Sequence, residues 1–132
     1  MNFDISTTQP TAEEYCDLRT ICRLSPKTIE AAEIALPRSI FTVTLRENHK
    51  LIGMGRLVGD LGTAIQIVDV AVHPDFQKRG LSRVIMENLL QFIESDVPKC
   101  AVVSLFADVS FLYEKFGFST PKSTQGMLLK RD

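Results

Sequence analysis

The residues from Gln77 to Arg83, Gln-Lys-Arg-Gly-Leu-Ser-Arg, put three cations, an amide and a glycine into seven positions. An apolar run, Val70-Ala71-Val72, enters this loop and an amphipathic run leaves it. A strand, a glycine-bearing basic turn and a helix start together make a place for phosphate. The N–H groups of a first helical turn have no partner inside the helix, and the macrodipole adds partial positive charge there. Gly80 lets the backbone approach a ligand where a Cβ would stand in the way. The pattern is a form of Gln/Arg-x-x-Gly-x-Gly/Ala. It is not the nucleotide-triphosphate loop, because no Gly-Lys-Ser/Thr follows. The competing reading is a solvated basic helix start.

Asp69 stands one residue before the apolar run. Strict alternation along a strand gives it the same face as Ile65, Ile67 and Ala71. Desolvation favours the protonated carboxyl unless a cation or backbone donors compensate. Such a group is a candidate base for taking a proton from an ammonium, directly or through water. Its competing role is structural, as the partner of Arg56 or of a loop amide. His49 and His73 lack paired metal ligands, so both read as surface or capping residues and no metal is expected. Cys100 reads as a buried strand residue and, without a histidine partner, as a poor nucleophile.

The elements that must position these residues can be read in order. Phe3 to Ile5 suits a short first strand. Thr11-x-x-Glu14 is a capping box, followed at helical spacing by Tyr15, Leu18, Ile21 and Cys22. A second helix is expected to open at Ser25-Pro26 and to stop near Leu36, because Pro37 disfavours helical geometry in the residue before it. Phe41, Val43 and Leu45 alternate with Thr42 and Thr44, and Asn48-His49-Lys50 turns the chain into a strand from Leu51 to Val58. Gly59-Asp60-Leu61-Gly62 turns it again into Thr63 to Val72, which makes an antiparallel meander of three strands. Leu81, Val84, Ile85, Leu89, Phe92 and Ile93 form a helical stripe that must lie on a sheet. Cys100 to Phe106 reads as a strand parallel to the one ending at Val72, through a right-handed crossover. A short helix, Phe111 to Phe116, stops at Gly117, and Gly126 to Lys130 reads as a last strand.

A chain of 132 residues suits one domain, residues 1–132. Its 45% hydrophobic and 23% charged content is that of a globular protein, and its net charge of −1 gives no electrostatic case for nucleic acid or anionic membrane. No apolar stretch approaches the roughly 20 residues of a membrane span. The N-terminal residues lack a basic region followed by an apolar run, and Cys16, Cys22 and Cys100 have no metal-ligand spacing. Reduced thiols in the cytoplasm are the expectation.

Three blocks carry a resemblance to a known family. They are Asp69 to Arg83; Leu105-Phe106-Ala107-Asp108 with Leu112-Tyr113-Glu114-Lys115-Phe116-Gly117-Phe118; and Leu51-Ile52-Gly53-Met54-Gly55-Arg56-Leu57-Val58-Gly59-Asp60. In this order and at these separations the chain, from about Leu36 onward, resembles the GNAT family of acetyl-coenzyme A-dependent N-acetyltransferases. The resemblance implies an α/β fold, a three-layer α/β sandwich with a mixed, centrally splayed β-sheet. It implies that the backbone of Val70, Ala71 and Val72 holds the pantetheine of acetyl-CoA, like a strand added to an exposed edge. A strand N–H there could also stabilise a tetrahedral oxyanion. Gln77, Lys78, Arg79, Gly80, Leu81, Ser82 and Arg83 would hold the pyrophosphate. Tyr113 matches the tyrosine that the family places near the coenzyme sulfur, where a phenol can protonate a departing thiolate. The residue's other reading is a packed helix aromatic.

Two departures stand out. Ser82 occupies a position where the family most often has Gly or Ala. Phe106 stands where many relatives carry Asn seven residues before the tyrosine, with Asp108 five before it, as if the loop were shortened. The reaction implied is direct transfer in a ternary complex to a primary amine. The Gly-Met-Gly-Arg…Val-Asp-Val-Ala-Val pattern is similar to a branch that includes aralkylamine acetyltransferases of plastids and cyanobacteria, which points to a small-molecule amine acceptor. The rivals are a protein lysine or N-terminus as acceptor, and a non-catalytic coenzyme A-binding sensor. A homodimer is among the assemblies the resemblance implies.

Overall fold

The computed structural model describes residues 2–108 and 110–131, with side chains at all of these except 110 and 111. Strands β1 (Asp4–Ser6), β2 (Phe41–Glu47), β3 (Lys50–Gly59), β4 (Ala64–Val72) and β5 (Val102–Ser104) form one sheet in chain order. The first four are antiparallel neighbours, and β5 lies parallel to β4. Helices α1 (Ala12–Ile21) and α2 (Ile29–Ala35) cover one face of the sheet through Tyr15, Leu18 and Ala32, joined by Leu36 just past α2. Helix α3 (Leu81–Asp96) covers the other through Leu81, Ile85, Met86 and Leu89. The result is an α/β sandwich around a mixed sheet.

The expected meander is present as β2, β3 and β4. Asn48 and His49 both take left-handed backbone (φ 49° and 69°), the geometry that a two-residue hairpin loop requires. β3 is the innermost strand, buried without a break from Leu51 to Leu57. Gly55 explains how closely α3 approaches it. A Cβ there would lie 2.6 Å from Ile85 Cγ2 and 3.1 Å from Leu89 Cδ1.

Helix α1 opens with the expected capping box. Glu14 N–H donates to Thr11 Oγ1 (3.1 Å), and Thr11 N–H donates to Glu14 Oε1 (3.0 Å). Helix α2 opens later than expected, with Thr28 as its cap accepting from Ala31 N–H at 3.1 Å. Ser25 cannot serve as that cap, because its hydroxyl and its carbonyl both accept from Arg19. Pro37 sits in a single 3-10 turn, Leu36–Arg38, where the helix is already over.

The C-terminal third departs most from expectation. β5 spans three residues rather than Cys100 to Phe106, and Cys100 is exposed ahead of it. A short helix, α4 (Ser110–Glu114), ends before Gly117, whose φ is 93°. No strand forms from Gly126 to Lys130. Met127, Leu128 and Leu129 instead lie open to solvent. No described strand pairs with this run, and its side chains are not packed in a core.

Candidate active site

The register of β3 with β4 slips once. Met54 faces Ala71 and Arg56 faces Val68, so Asp69 and Val70 together oppose Gly55. This is a β-bulge, and Asp69 occupies it with left-handed backbone (φ 60°), a conformation that aspartate tolerates better than most residues. The slip breaks the alternation on which the sequence reading relied. Asp69 does not share a face with Ile65 and Ile67, which pack under α3. Its side chain, 6% exposed, turns instead toward α1.

Three residues meet at that carboxylate. Arg56 Nε donates to Oδ2 at 2.8 Å, Arg19 Nη1 forms an ion pair with Oδ1, and the Tyr15 hydroxyl donates to Oδ2 at 2.7 Å. Both guanidiniums are 8% exposed, and each reaches further. Arg19 Nη2 donates to the Ser25 carbonyl (2.8 Å) and hydroxyl (3.0 Å), and Arg56 Nη1 donates to Ser39 Oγ (2.7 Å). Burial, and then the carboxylate that accepts its proton, push the Tyr15 phenol above its ordinary range. The cluster ties α1, the α1–α2 loop and the segment after α2 to the bulge. The partnership of Asp69 with Arg56 is thus present.

β4 continues past the bulge with one edge open. It pairs with β5 only at Ala64, Ile65 and Gln66, so the two strands part beyond that point. Val70, Ala71 and Val72 lie in the open stretch. The Val72 carbonyl accepts from Gln77 Nε2 (3.0 Å) and from Cys22 Sγ (3.3 Å). Burial pushes the Cys22 thiol up. His73 is buried and caps the 3-10 turn Pro74–Phe76, its Nδ1 accepting from Asp75 N–H at 3.1 Å. Phe76 anchors the loop, with His73 edge-on at 5.7 Å and the Arg79 guanidinium 5.3 Å above its ring.

Lys78 and Gly80 take left-handed backbone (φ 65° and 77°) with Arg79 between them. Left-handed residues interleaved with ordinary ones turn successive N–H groups to one side, as in anion-binding nests. Gly80 is the cap residue of α3, and no side chain caps the amides of Leu81, Ser82 and Arg83. Nothing outside the adjoining loop and helix backbone lies within 4 Å of a Cβ built at Gly80. Arg83 lies 4.0 Å from Glu87 along the helix.

Tyr113 belongs to α4 and packs partly buried against the α3 cluster, beside Phe116 and Phe118. Burial, helped by the charge of Asp108, pushes its phenol up, so the hydroxyl keeps its proton at neutral pH. A separate cleft of about 240 Å³ opens beside α1, lined by Glu14, Asp17, Leu18, Ile21, Lys50, Leu51 and His73. Bonding to Arg46 (2.7 and 2.9 Å) holds the Glu14 carboxyl down at about 2.

The sequence reading singled out the loop, the strand and Asp69, but did not name Tyr15 and Arg19 as partners of Asp69. The signal was there. Arg19 falls on the same helical stripe as Tyr15, Leu18 and Cys22, and a cation on a buried stripe needs a counter-charge.

Comparison with known proteins adds a family to this geometry. The sequence profile of the acetyltransferase (GNAT) domain matches residues 37–120. An uncharacterized N-acetyltransferase, ycf52, of Pyropia yezoensis is 35% identical over 106 residues, 75% of this chain and 60% of that protein. The chain thus spans about 60% of the length of these curated relatives. A crystal structure of a protein of unknown function from Staphylococcus aureus, described as a probable acetyltransferase, is 43% identical. It superposes with a TM-score of 0.93 over 98% of this chain and 100% of that one. A GNAT family protein of Streptococcus pneumoniae shares the fold at TM-score 0.82 and 22% identity, each chain covered to 98%.

Proposed function

The chain belongs to the GNAT family of acetyltransferases, and from that premise we propose that it transfers an acetyl group from acetyl-coenzyme A to a primary amine. The observation that carries the reading is the open edge of β4 running directly into the uncapped start of α3. An amide-bearing pantetheine arm suits a strand edge, and a pyrophosphate suits unpartnered helix-start amides. In this reading Val70, Ala71 and Val72 contribute backbone, while Gln77 to Arg83 cradle the phosphates. Ser82 is small enough to leave that approach clear, and its hydroxyl is one further donor.

The acetyl group passes directly from thioester to amine in a ternary complex, so holding the two at reacting distance supplies much of the rate. Tyr113 donates its phenolic proton to the departing sulfur. Its raised pKa suits this role, since the proton stays on the oxygen until the thiolate forms. Asp69 acts by position rather than as a base. Two guanidiniums and a phenol already occupy its oxygens, and its function is to fix α1 against the bulge.

The acceptor is a small amine with an apolar body, the class to which aralkylamines belong. Support comes from the cleft beside α1, where Leu18, Ile21 and Leu51 offer apolar walls and Asp17 offers negative charge for an ammonium, with Lys50 on the same rim. No helix among the described residues is long and apolar enough to cross a membrane. The thiols of Cys16 and Cys22, unpaired in the structure, suit a reducing compartment such as the cytoplasm.

The engaged state of Asp69 also favours one rival, a coenzyme A-binding sensor that performs no chemistry. Calorimetry with acetyl-coenzyme A, run beside coenzyme A release over a panel of small amines, peptide lysines and peptide N-termini, separates them. The reading expects binding, and release with small amines. Binding with no release from any acceptor would leave the sensor, and absence of binding would remove both.

A further inference from the structure

His73 lines the cleft beside α1 and is only 7% exposed. One of its ring nitrogens is already engaged. Nδ1 accepts from the Asp75 N–H, so in the neutral ring the proton stands on Nε2. Nε2 itself has no hydrogen-bond partner among the described residues. No fully enclosed side-chain nitrogen or oxygen among them is left unpartnered, so Nε2 is the part of the ring that reaches the cleft. It arrives there as a donor.

The charged groups of the cleft divide in the same way. Glu14 is engaged, with both oxygens bonded to Arg46 and one also to the Thr11 N–H. Asp17 and Lys50 are not, since neither makes an ion pair among the described residues. The Lys50 ammonium stands 5.9 Å from the centroid of the Phe76 ring, and His73 meets the same ring edge-on at 5.7 Å. Lysine and histidine thus share one side of the cleft, while Asp17 comes from α1. Leu18, Ile21 and Leu51 supply the apolar surface between them. The volume, about 240 Å³, is below the roughly 300–1,000 Å³ of pockets for drug-sized ligands. It suits a molecule of one residue's size rather than a chain.

We propose that this cleft takes a free α-amino acid with an apolar side chain, its carboxylate held by His73 Nε2 and Lys50 Nζ and its ammonium drawn to Asp17. That the amino acid is the acceptor rests on the acetyl-transfer reading, which it narrows. An amine without a carboxylate fills the walls and meets Asp17, but it leaves both donors facing nothing. A bond to an ionised group is among the strong ones, and a site built to bond a group discriminates against analogues that lack it. A peptide N-terminus is disfavoured for the same reason, because its carbonyl is tied up in a neutral amide. In the transfer the amine nitrogen forms the new amide bond and the thioester C–S bond breaks. Of the two protons that the ammonium gives up, one ends on sulfur by way of Tyr113 and the other goes to solvent.

The test compares L-leucine and L-phenylalanine with their amides, which keep the amine and the shape but lack the anion. With acetyl-coenzyme A present, each acid should have a Michaelis constant at least about tenfold below that of its amide, a difference of about 1.4 kcal/mol. His73→Asn removes the Nε2 donor, while the asparagine oxygen can still accept from the Asp75 N–H. Lys50→Met keeps an apolar stem and removes the charge. In each variant the acid-to-amide preference should shrink toward one while the melting temperature holds. Calorimetric titration of the two acids carries the test without turnover. Acids that bind and are weakened by both variants, with no coenzyme A released from any amine, would uphold the amino-acid site and remove the acetyl-transfer reading. Release from the amides, or from 2-phenylethylamine, as readily as from the acids would keep transfer and overturn the proposal. So would acids that neither bind nor react, or variants that weaken acid and amide alike.

Discussion

The two sides of the β4 opening are built from different materials. On the α1 side, Asp69, Arg19, Arg56 and Tyr15 lock four segments together with directional bonds between buried groups. On the β5 side, α4 and the residues after it rest on the α3 cluster through Tyr113, Phe116 and Phe118, and β5 itself pairs over only three residues. Apolar packing is non-directional and tolerates small shifts, whereas a buried ion pair costs several kcal/mol if one partner is lost. One wall of the candidate site is thus pinned, and the other is merely seated.

The largest effect expected from this contrast comes from Asp69→Asn. Asparagine also tolerates left-handed backbone, so the substitution isolates the charge. It leaves two buried guanidiniums facing a neutral amide, which should cost about 3–5 kcal/mol. Thermal unfolding reads the loss. The shape of the pH–rate profile should not change. A variant of wild-type stability with a flattened acidic limb would return Asp69 to the role of base and dissolve the contrast.

Tyr113→Phe probes the seated wall. The ring and its packing stay, so melting should move little, while turnover should fall roughly 10²-fold. The Michaelis constant for acetyl-coenzyme A should hold, because the lost interaction belongs to the transition state. Wild-type turnover would make Tyr113 a packing residue only. At the floor of the site, Gly80→Glu brings a like charge to the phosphate position. Acetyl-coenzyme A affinity should drop at least tenfold, about 1.4 kcal/mol, by calorimetry. The left-handed backbone at Gly80 makes any side chain there cost about 1–2 kcal/mol, but no protein atom meets the new Cβ, so the fold should survive, and unchanged affinity would place the phosphates elsewhere.

The smallest effect concerns the rim of the pinned side. Glu14 has a carboxyl depressed from 4.5 to about 2, chiefly by its bond to Arg46. A depressed acid stabilises fully above its unfolded value and loses that contribution as pH falls through the folded one. Glu14→Gln should therefore cost below about 1 kcal/mol at neutral pH, because the pair is partly solvated. The difference from wild type should fade as pH drops from 4.5 toward 2. A gap that persisted in acid would mean the capping bonds, and not the charge, set the value.

What the sequence made legible follows the same division. The meander, the capping box and the glycine at the start of α3 were readable because each is local, set by residues a few positions apart. The start of α2 was misplaced because Ser25 is claimed by Arg19, six positions before it, through a bond that no propensity scale contains. Asp69 was assigned the wrong face because alternation assumes an unbroken ladder. The strand expected from Gly126 to Lys130 has the right residues, but a strand also requires an edge, and sequence does not say which edge is within reach.

The bulge at Asp69 carries a consequence for the arithmetic of the strand. Before it, odd-numbered residues face α3, as Ile65 and Ile67 do. After it the even-numbered ones do, as Val70 and Val72 show, while Ala71 joins the opposite cluster. β4 is one strand by hydrogen bonding but two by parity, with a single residue as the phase shift between them. Deleting Asp69 would not simply remove a carboxylate. It would merge the two phases into one ladder, and keeping Ile65 and Ile67 under α3 would still leave the valines correctly placed. Substituting Asp69 breaks the ion cluster and keeps the bulge. Deleting it breaks both and spares the apolar pattern. The inserted residue is thus an addition to a strand whose hydrophobic alternation is complete without it.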